Sequence, residues 1–322
     1  MRSCVILDAD TVTNGDISFE PISSLVDARL IGLTVEGEVA DNIADAELVI
    51  TNKVKITDEV MSRCKNLKYI GLFATGYNNI DIEAAKKRGI VVSNVPGYST
   101  SSVAQHTFAL ILHYFSSAAE YGRTVKNGDW CYSKLFSYFN IPFFELSGKT
   151  IGIIGYGAIG RAVAKIARAF DMRVLVYTRT PPKDEDGIII SGLDELLSES
   201  DIVTLHCPLT EATRSLINER TLGLMKSSAI LINTSRGAVI DESALLKALS
   251  EGKIAFAGLD VLTEEPMRED CPLRNAPNCL ITPHIAWAPL ETRKRLIGLV
   301  ADNIKRILTA RRKIMLRFEE KL

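Results

Sequence analysis

The stretch that decides the fold runs from Thr150 to Arg179 and reads TIGIIGYGAIGRAVAKIARAFDMRVLVYTR. An apolar, β-forming run comes first, three glycines follow at the spacing GxGxxG, and a helix pattern comes directly after them. The first glycine permits a tight turn, the second lets backbone approach a pyrophosphate, and the third allows close helix packing. Gly155, Gly157 and Gly160 therefore predict a dinucleotide-binding unit in which the helix N-terminus faces the phosphates.

The end of the next strand bears on which dinucleotide binds. An acidic side chain there would accept hydrogen bonds from the adenosine ribose and repel a 2′-phosphate. Here VLVYTRT places Thr178 at that position, followed by Arg179. Without a carboxylate the 2′-phosphate is not repelled, and the guanidinium offers it a charge-assisted contact. The sequence favours NADP(H) over NAD(H), although an arginine that stacks on adenine or stays solvated would suit either cofactor.

Short apolar runs alternate with helix patterns on both sides of this stretch. Before it, CVILD, LVIT, YIGLF and IVVS alternate with segments such as TDEVMSRC and DIEAAKKRG; after it come DIVTLHC, AILIN, FAGLDV and CLITP. This alternation is typical of parallel strands joined by crossover helices. We expect an α/β protein with two Rossmann-like or flavodoxin-like parallel-sheet domains, separated by an active-site cleft.

Two further segments bear on domain organisation. NVPGY, Asn94–Tyr98, punctuates the chain and indicates a domain boundary, and one long apolar helix is expected from about Ser101 to Lys126. The C-terminal ETRKRLIGLVADNIKRILTARRKIM has the pattern of an amphipathic helix. Such a helix is able to return and cover the first domain.

The composition excludes several classes of function. The 322 residues carry 38 basic and 39 acidic side chains, which leaves no positive excess to bind nucleic acid or an anionic membrane. The first apolar run is broken at Asp8 and is too short for a signal peptide or a membrane span, so we expect a cytoplasmic protein. The six cysteines form no CxxC and no His/Cys cluster, which predicts free thiols and no metal site.

The stretch from Gly128 to Lys149 is rich in aromatic residues: Trp130, Tyr132, Phe136, Tyr138, Phe139, Phe143 and Phe144. This is more aromatic surface than a solvated loop exposes. Two interpretations stay open, a local core under the long helix and a subunit-contact arm, of which the arm is slightly favoured.

Three segments after the glycine motif carry candidate catalytic residues at strand ends: NTSRGAVID, GLDVLTEEP and TPHIAW. Since the carboxyl ends of parallel strands meet at one crevice, Arg236, Glu265 and His284 are expected to converge. Hydride transfer to a ketone builds negative charge on oxygen. Arginine clamps a 2-oxo carboxylate, histidine donates the proton, and a neighbouring glutamate favours the imidazolium. Each residue alone also fits a surface or ion-pair role.

These segments resemble the D-isomer-specific 2-hydroxyacid dehydrogenase family over nearly the whole chain. The resemblance implies that the SRG arginine, the glutamate before the EP proline and the PHI histidine are catalytic, which makes Glu265 rather than Glu264 the partner of His284. It also implies homodimers paired through the cofactor domain, and a discontinuous substrate-binding domain. We predict bounds of 1–99 plus 288–322 for that domain and 100–287 for the NAD(P)-binding domain.

The resemblance extends to residues around the ligands. Asp260 of GLDV is implied to bind the nicotinamide carboxamide, although a helix or turn cap is the alternative. The loop LFATGYNNIDIEAA implies that Thr75 and Gly76 bind the substrate carboxylate, against a simple turn. The remaining implied cofactor contacts are Thr100, Ala158, Ile159, His206, Cys207, Pro208, Thr213 and Thr234, with a helix-capping hydroxyl as the alternative for Thr213.

Within the family, PHIAWAP and VAQHTFALIL most resemble the glycerate dehydrogenase and hydroxypyruvate reductase group. Trp287 against the pocket would leave room only for a small side chain, so hydroxypyruvate or glyoxylate is expected, unless Trp287 merely packs a domain interface. A short phosphoglycerate dehydrogenase stays possible, whereas formate dehydrogenases of this fold carry glutamine in place of Glu265. The rival from another class is a dinucleotide-sensing, corepressor-like binding protein. The C-terminus ILTARRKIMLRFEEKL departs from the family by lacking its small-residue turn.

Overall fold

The computed structural model describes residues 1–182 and 187–319, of which 310–319 are described by their backbone alone. The described chain forms two compact units. One comprises Met1–Tyr98 together with the segment that starts at Ala288, and the other comprises Ser99–Trp287. The last three residues, Glu320–Leu322, lie outside the described residues.

The first unit contains a five-stranded parallel sheet in the order β2-β1-β3-β4-β5. Its strands are β1 Ser3–Ile6, β2 Asp27–Leu30, β3 Leu48–Thr51, β4 Tyr69–Leu72 and β5 Val91–Ser93. Its helices are α1 Glu20–Ser23, α2 Val39–Ile43, α3 Asp58–Arg63, α4 Ile82–Lys87 and the C-terminal helix Leu290–Glu319. β3 and β4 are buried along their whole length, as expected of parallel strands covered on both faces.

Local sequence signals fix the ends of two helices in this unit. The side chain of Thr57 accepts a hydrogen bond from the N–H of Val60 at the start of α3, and Asp81 does the same for Ala84 at the start of α4. Such caps satisfy N–H groups that have no partner inside the helix.

The C-terminal helix packs against α1 and β4 of the first unit. Leu296, Val300 and Ile304 are fully buried at a spacing of four residues, which places them on one face. Arg293 anchors its start through two hydrogen bonds to the carboxylate of Asp16, at 2.8 and 2.7 Å. The predicted amphipathic helix therefore lies on the first unit.

The second unit contains a seven-stranded parallel sheet in the order β12-β11-β10-β9-β6-β7-β8. Its strands are β6 Thr150–Ile154, β7 Arg173–Tyr177, β8 Ile189–Ile190, β9 Ile202–Leu205, β10 Ile230–Asn233, β11 Phe256–Leu259 and β12 Cys279–Ile281. Its helices are α5 Thr100–Ser116, α6 Ala118–Lys126, α7 Ala158–Ala169, α8 Leu193–Glu199, α9 Glu219–Leu222 and α10 Glu242–Ser250. The expectation of two parallel-sheet α/β units is confirmed.

The strand order of the second sheet reverses between β6 and β9. The chain moves outward from β6 to β7 and β8, then crosses back to β9 and continues outward on the other side. In open parallel sheets this reversal leaves a crevice at the carboxyl ends of the two central strands, where ligands bind.

The prediction of one helix from about Ser101 to Lys126 was wrong in its continuity. Ser117 adopts the left-handed conformation, with φ 47° and ψ 27°, and divides the segment into α5 and α6. Its hydroxyl donates to the carbonyl of Pro142 at 3.0 Å. This hydrogen bond joins the break to a distant part of the chain. No helix in the described ranges is long and apolar enough to cross a membrane.

Candidate active site

Gly155 and Gly157 of the motif lie in the turn between β6 and α7, and Gly160 lies in the first turn of α7. Gly155 has φ 97°, and a Cβ there would lie 2.6 Å from the backbone nitrogen of Cys207. At Gly160 a Cβ would lie 2.2 Å from the carbonyl oxygen of Gly155, so these two positions require glycine. At Gly157 a Cβ would meet no atom of the described residues within 4 Å. Open space at the N-terminus of the 12-residue α7 fits the approach of a pyrophosphate.

His206 follows β9 on the other side of the strand reversal. Its Nε2 hydrogen-bonds the hydroxyl of Thr204 at 3.0 Å, and among the described residues its buried Nδ1 has no partner. Burial lowers the pKa of His206 to about 3, so the ring is neutral. A buried nitrogen without a partner next to the glycine loop suits a polar ligand, and the site therefore fits a dinucleotide.

Several other predicted cofactor residues make contacts within the protein. The Thr213 hydroxyl donates to the carbonyl of Pro208 at 2.6 Å and accepts from the N–H of Thr210 at 2.8 Å, so it holds the HCPLT turn. The Thr234 hydroxyl pairs with that of Thr107 at 3.1 Å.

The remaining predicted contacts occupy element ends. Thr100 begins α5, Ala158 and Ile159 begin α7, and Cys207 is a buried thiol whose pKa is raised by burial. Thr178 and Arg179 follow β7, which lies beside β6; Thr178 is partly buried and Arg179 is exposed.

Glu265 and His284 form a hydrogen-bonded pair. Glu265 Oε2 lies 2.6 Å from Nδ1 of His284, and Oε1 accepts the N–H of Leu262 at 3.0 Å. An ionised carboxylate only accepts, so Nδ1 carries a proton and Nε2 is the nitrogen left for a substrate. The side chain of His284 is 27% exposed, and its backbone lies in the left-handed region with φ 53°. Such strained backbone is typical of residues held for function.

Arg236 lies in a turn that a buried amide holds. Asn233 is fully buried; its Nδ2 donates to the carbonyl of Arg236 at 2.9 Å and its Oδ1 accepts from the backbone N–H of Ser235 at 2.9 Å. A Cβ at Gly237 would lie 1.9 Å from the carbonyl carbon of Leu262. The segment that carries Arg236 therefore packs directly on the loop that carries Glu265, while the guanidinium stays exposed.

Asp260 organises the loop that carries His284. It is 1% exposed; Oδ1 accepts from the Thr282 hydroxyl at 2.6 Å and the Ile285 N–H at 2.9 Å, and Oδ2 accepts from the Ala286 N–H at 2.8 Å. Burial alone would raise its pKa, but these donors and His106 outweigh burial and lower it. Within the protein, the Asp260 carboxylate therefore acts as a cap for the turn that carries His284. Trp287, half-buried, follows the last of these residues.

In the first unit, the predicted carboxylate loop follows β4. The Thr75 hydroxyl donates to the carbonyl of Val95 at 2.9 Å, and the Thr75 carbonyl accepts from Asn94 Nδ2 at 2.6 Å. Within the described chain, the N–H groups of Thr75 and Gly76 donate to no other backbone group. The loop is anchored while these two donors point to no backbone acceptor, as an anion site requires.

Sequence reasoning missed the residues that support the site: Asn233, Gly237 and His106. Asn233 had a recognisable signal, because an asparagine two residues before a serine is typical of a side-chain-capped turn. Gly237 and His106 had none, since their partners come from distant segments.

The chain is similar to the proteins of one known family. Residues 108–286 match the family described as D-isomer specific 2-hydroxyacid dehydrogenase, NAD binding domain. The chain is 41% identical over 309 residues to a hydroxypyruvate reductase of Blautia hydrogenotrophica, covering 94% of this chain and 96% of that protein. It is 40% identical to a glycerate dehydrogenase of Methylorubrum extorquens, with 83% and 84% covered, and 42% identical to a glyoxylate reductase of Thermococcus litoralis, with 83% and 82% covered.

Two similar solved structures hold nicotinamide dinucleotides. An acyclic imino acid reductase in complex with NADPH and D-Arg has a TM-score of 0.83 and 32% identity, covering 95% of this chain and 97% of that one. A D-lactate dehydrogenase from Aquifex aeolicus complexed with NAD and lactic acid has a TM-score of 0.81 and 32% identity, covering 95% and 96%. The two complexes contain different dinucleotides.

Proposed function

The chain belongs to the D-isomer-specific 2-hydroxyacid dehydrogenase family, and from this premise we propose that it reduces hydroxypyruvate and glyoxylate to D-glycerate and glycolate. The observation that carries the proposal is the Glu265–His284 pair at 2.6 Å, held in the unit that contains the glycine loop. Relatives named hydroxypyruvate reductase, glycerate dehydrogenase and glyoxylate reductase support these substrates. They do not favour the sensor alternative.

His284 is the proton donor of this proposal. A nicotinamide held at the glycine loop would supply the hydride for C2 of the 2-oxo acid. His284 Nε2 gives its proton to the C2 oxygen as that oxygen gains negative charge, while Glu265 holds Nδ1 and compensates the charge on the ring. In the reverse direction the same nitrogen takes the proton from the hydroxyl.

Arg236 and the loop of Thr75 and Gly76 bind the substrate carboxylate in this proposal. The exposed guanidinium has the planar fork that suits a carboxylate, and the anchored loop supplies backbone N–H donors. The unit of Ser99–Trp287 would then be the cofactor domain and the other unit the substrate domain. Trp287 would limit the pocket to small acids.

NADPH is the preferred cofactor in this proposal. Thr178 leaves the end of β7 without a carboxylate, and the exposed Arg179 is available to a 2′-phosphate. Asp260, through the loop it organises, would place His284 at the nicotinamide. The structural relatives include both an NADPH complex and an NAD complex, so the choice depends on this chain's own residues.

The aromatic stretch is proposed to be the contact arm of a homodimer. Phe144 packs on Tyr114 and Phe115 of α5, which attaches the stretch to the second unit. Tyr132, Phe136 and Phe139 stay 88%, 91% and 74% exposed, an apolar surface that a second copy would cover. The six cysteines are free thiols, which suits the reducing cytoplasm as the compartment.

Initial rates of NADPH and NADH oxidation, measured side by side with hydroxypyruvate, glyoxylate, pyruvate and phenylpyruvate, test this function. We expect the highest kcat/KM with NADPH and either hydroxypyruvate or glyoxylate. Equal or faster reduction of phenylpyruvate would overturn the substrate assignment, and a preference for NADH would overturn the cofactor assignment.

A further inference from the structure

A buried carboxylate in the first unit holds the backbone of an exposed lysine. Asp8 is 1% exposed, and its two oxygens accept from the N–H of Asn52 at 2.9 and 3.1 Å. One of them also accepts from the N–H of Lys53 at 2.6 Å. Burying a carboxylate is costly unless several donors satisfy it, and here the donors are the backbone of one short turn.

The same turn is held from a second side. Asn79 Nδ2 donates to the carbonyls of Val54 at 2.9 Å and Asn52 at 3.5 Å, and the Thr51 hydroxyl accepts from the N–H of Val54 at 3.1 Å. The peptide of Lys53 is therefore fixed on both sides, while its side chain is exposed. Fixing the backbone of an exposed lysine this firmly is unnecessary for a solvated charge but suits a binding group.

The register of the sheet places this turn beside the carboxylate loop. Thr51 pairs with Leu72 across β3 and β4, so Lys53 and Ala74 each lie two residues beyond the same pair. Neighbouring parallel strands lie about 4.8 Å apart. Asn79, which holds the turn of Lys53, belongs to the segment that also contains Thr75. The carboxyl ends of two neighbouring strands, β3 and β4, therefore carry the turn of Lys53 and the loop of Thr75 and Gly76.

We propose that Lys53 is a further substrate-binding residue, whose ammonium group pairs with the carboxylate of the 2-oxo acid at the loop of Thr75 and Gly76. This inference rests on the proposed function, because it assigns a residue to the same substrate. Backbone N–H groups donate hydrogen bonds to an anion, and a compact ammonium group adds the opposite charge. Asp8 is the positioning residue, since it contacts the backbone of Lys53 and not the ligand.

The test compares Lys53→Met with the matched control Lys55→Met, a substitution of another exposed lysine two residues away. We expect Lys53→Met to raise KM about tenfold or more for both glyoxylate and hydroxypyruvate, with kcat changed less than about threefold, because an ion-assisted contact to the shared carboxylate is lost. Lys55→Met leaves both KM values unchanged, and Lys53→Arg restores part of the affinity. Thermal unfolding checks that each variant is folded.

Binding of oxamate in the presence of NADPH, measured by calorimetry, gives a readout that needs no turnover. Weaker oxamate binding by Lys53→Met alone supports the assignment. An unchanged KM and unchanged oxamate affinity overturn it, and so does a rise in KM for hydroxypyruvate but not glyoxylate, since that pattern assigns Lys53 to the C3 hydroxyl. If the wild-type protein reduces no 2-oxo acid, the proposed function fails, whereas oxamate binding still decides whether Lys53 holds a carboxylate.

Discussion

The carboxylate of Glu265 contacts His284 through one oxygen and the backbone of its own loop through the other. Oε2 lies 2.6 Å from His284 Nδ1, and Oε1 accepts the N–H of Leu262 at 3.0 Å. The second contact prevents the carboxylate from rotating away from the ring. The orientation of the imidazole is thereby set before any substrate binds, as the proposed role of His284 as proton donor requires.

Replacing His284 with Asn removes the proposed proton donor. We expect kcat for hydroxypyruvate to fall about 100- to 10,000-fold, the range that general acid catalysis supplies. Glu265→Gln should cost less, because the ring remains. Stopped-flow and steady-state rates measure the loss, and NADPH affinity measured by fluorescence should stay unchanged. Turnover within threefold of the wild type would exclude His284 as the donor.

Gly237→Ala should disturb the site through packing. The added Cβ would lie 1.9 Å from the backbone of Leu262, so the loop of Glu265 must move. Overpacking of this kind costs about 1–3 kcal/mol of unfolding free energy, and we expect kcat to fall as well. The matched control is Gly298→Ala in the C-terminal helix, where a Cβ meets no part of the described chain within 4 Å. Urea unfolding should show that variant to be as stable as the wild type or more so, by up to about 1 kcal/mol.

Arg179→Ala should alter cofactor choice. Loss of a charge-assisted contact to the 2′-phosphate should lower kcat/KM for NADPH about tenfold and leave the value for NADH unchanged. Arg173→Ala is the control, because Arg173 begins the same strand and pairs with Glu199 at 2.6 Å. Equal losses with both cofactors would show that Arg179 does not recognise the phosphate.

His206 should make stability depend on pH. Its pKa is lowered to about 3, whereas the unfolded side chain titrates near 6.5, so between these values the unfolded state binds the extra proton. Stability from this group is complete above pH 6.5 and falls as the pH decreases. Between pH 7.5 and 5.5 the loss is about 1 kcal/mol. Urea unfolding at both pH values should show a smaller loss of unfolding free energy for His206→Asn than for the wild type. The same loss in the variant and the wild type would show that His206 is not its source.

Phe136→Ser together with Phe139→Ser should weaken the proposed homodimer. Both rings are largely exposed in the single chain, and a second copy would bury them. Light scattering after size exclusion should show a dimer for the wild type and a monomer for the double variant at micromolar concentration. The control Leu33→Ser removes another exposed apolar side chain, in the first unit, and should leave the dimer intact. A wild-type monomer would disprove the contact arm.

Much of this molecule follows from local sequence. The glycine spacing predicted the turn between β6 and α7 because a side chain at Gly155 or Gly160 would clash with nearby backbone, and apolar runs predicted parallel strands because both sheet faces are covered. The segments NTSRG, TEEP and TPHI predicted the catalytic candidates, since strand ends converge in such a fold.

Other features depend on contacts between residues far apart in the chain. The break at Ser117 was not predicted, because the carbonyl that its hydroxyl binds belongs to Pro142. The aromatic stretch divides between rings packed on α5 and rings left exposed, which aromatic content alone does not distinguish.

The sequence by itself determined the fold class, the family and the residue types of the site, because periodicity and short motifs are local properties of the chain. Only the tertiary structure decided how those residues are held: Asp260 on the loop of His284, Asn233 on the turn of Arg236 and Asp8 on the turn of Lys53. Each is a buried polar group, and what it does depends on which donors or acceptors folding brings within hydrogen-bond distance.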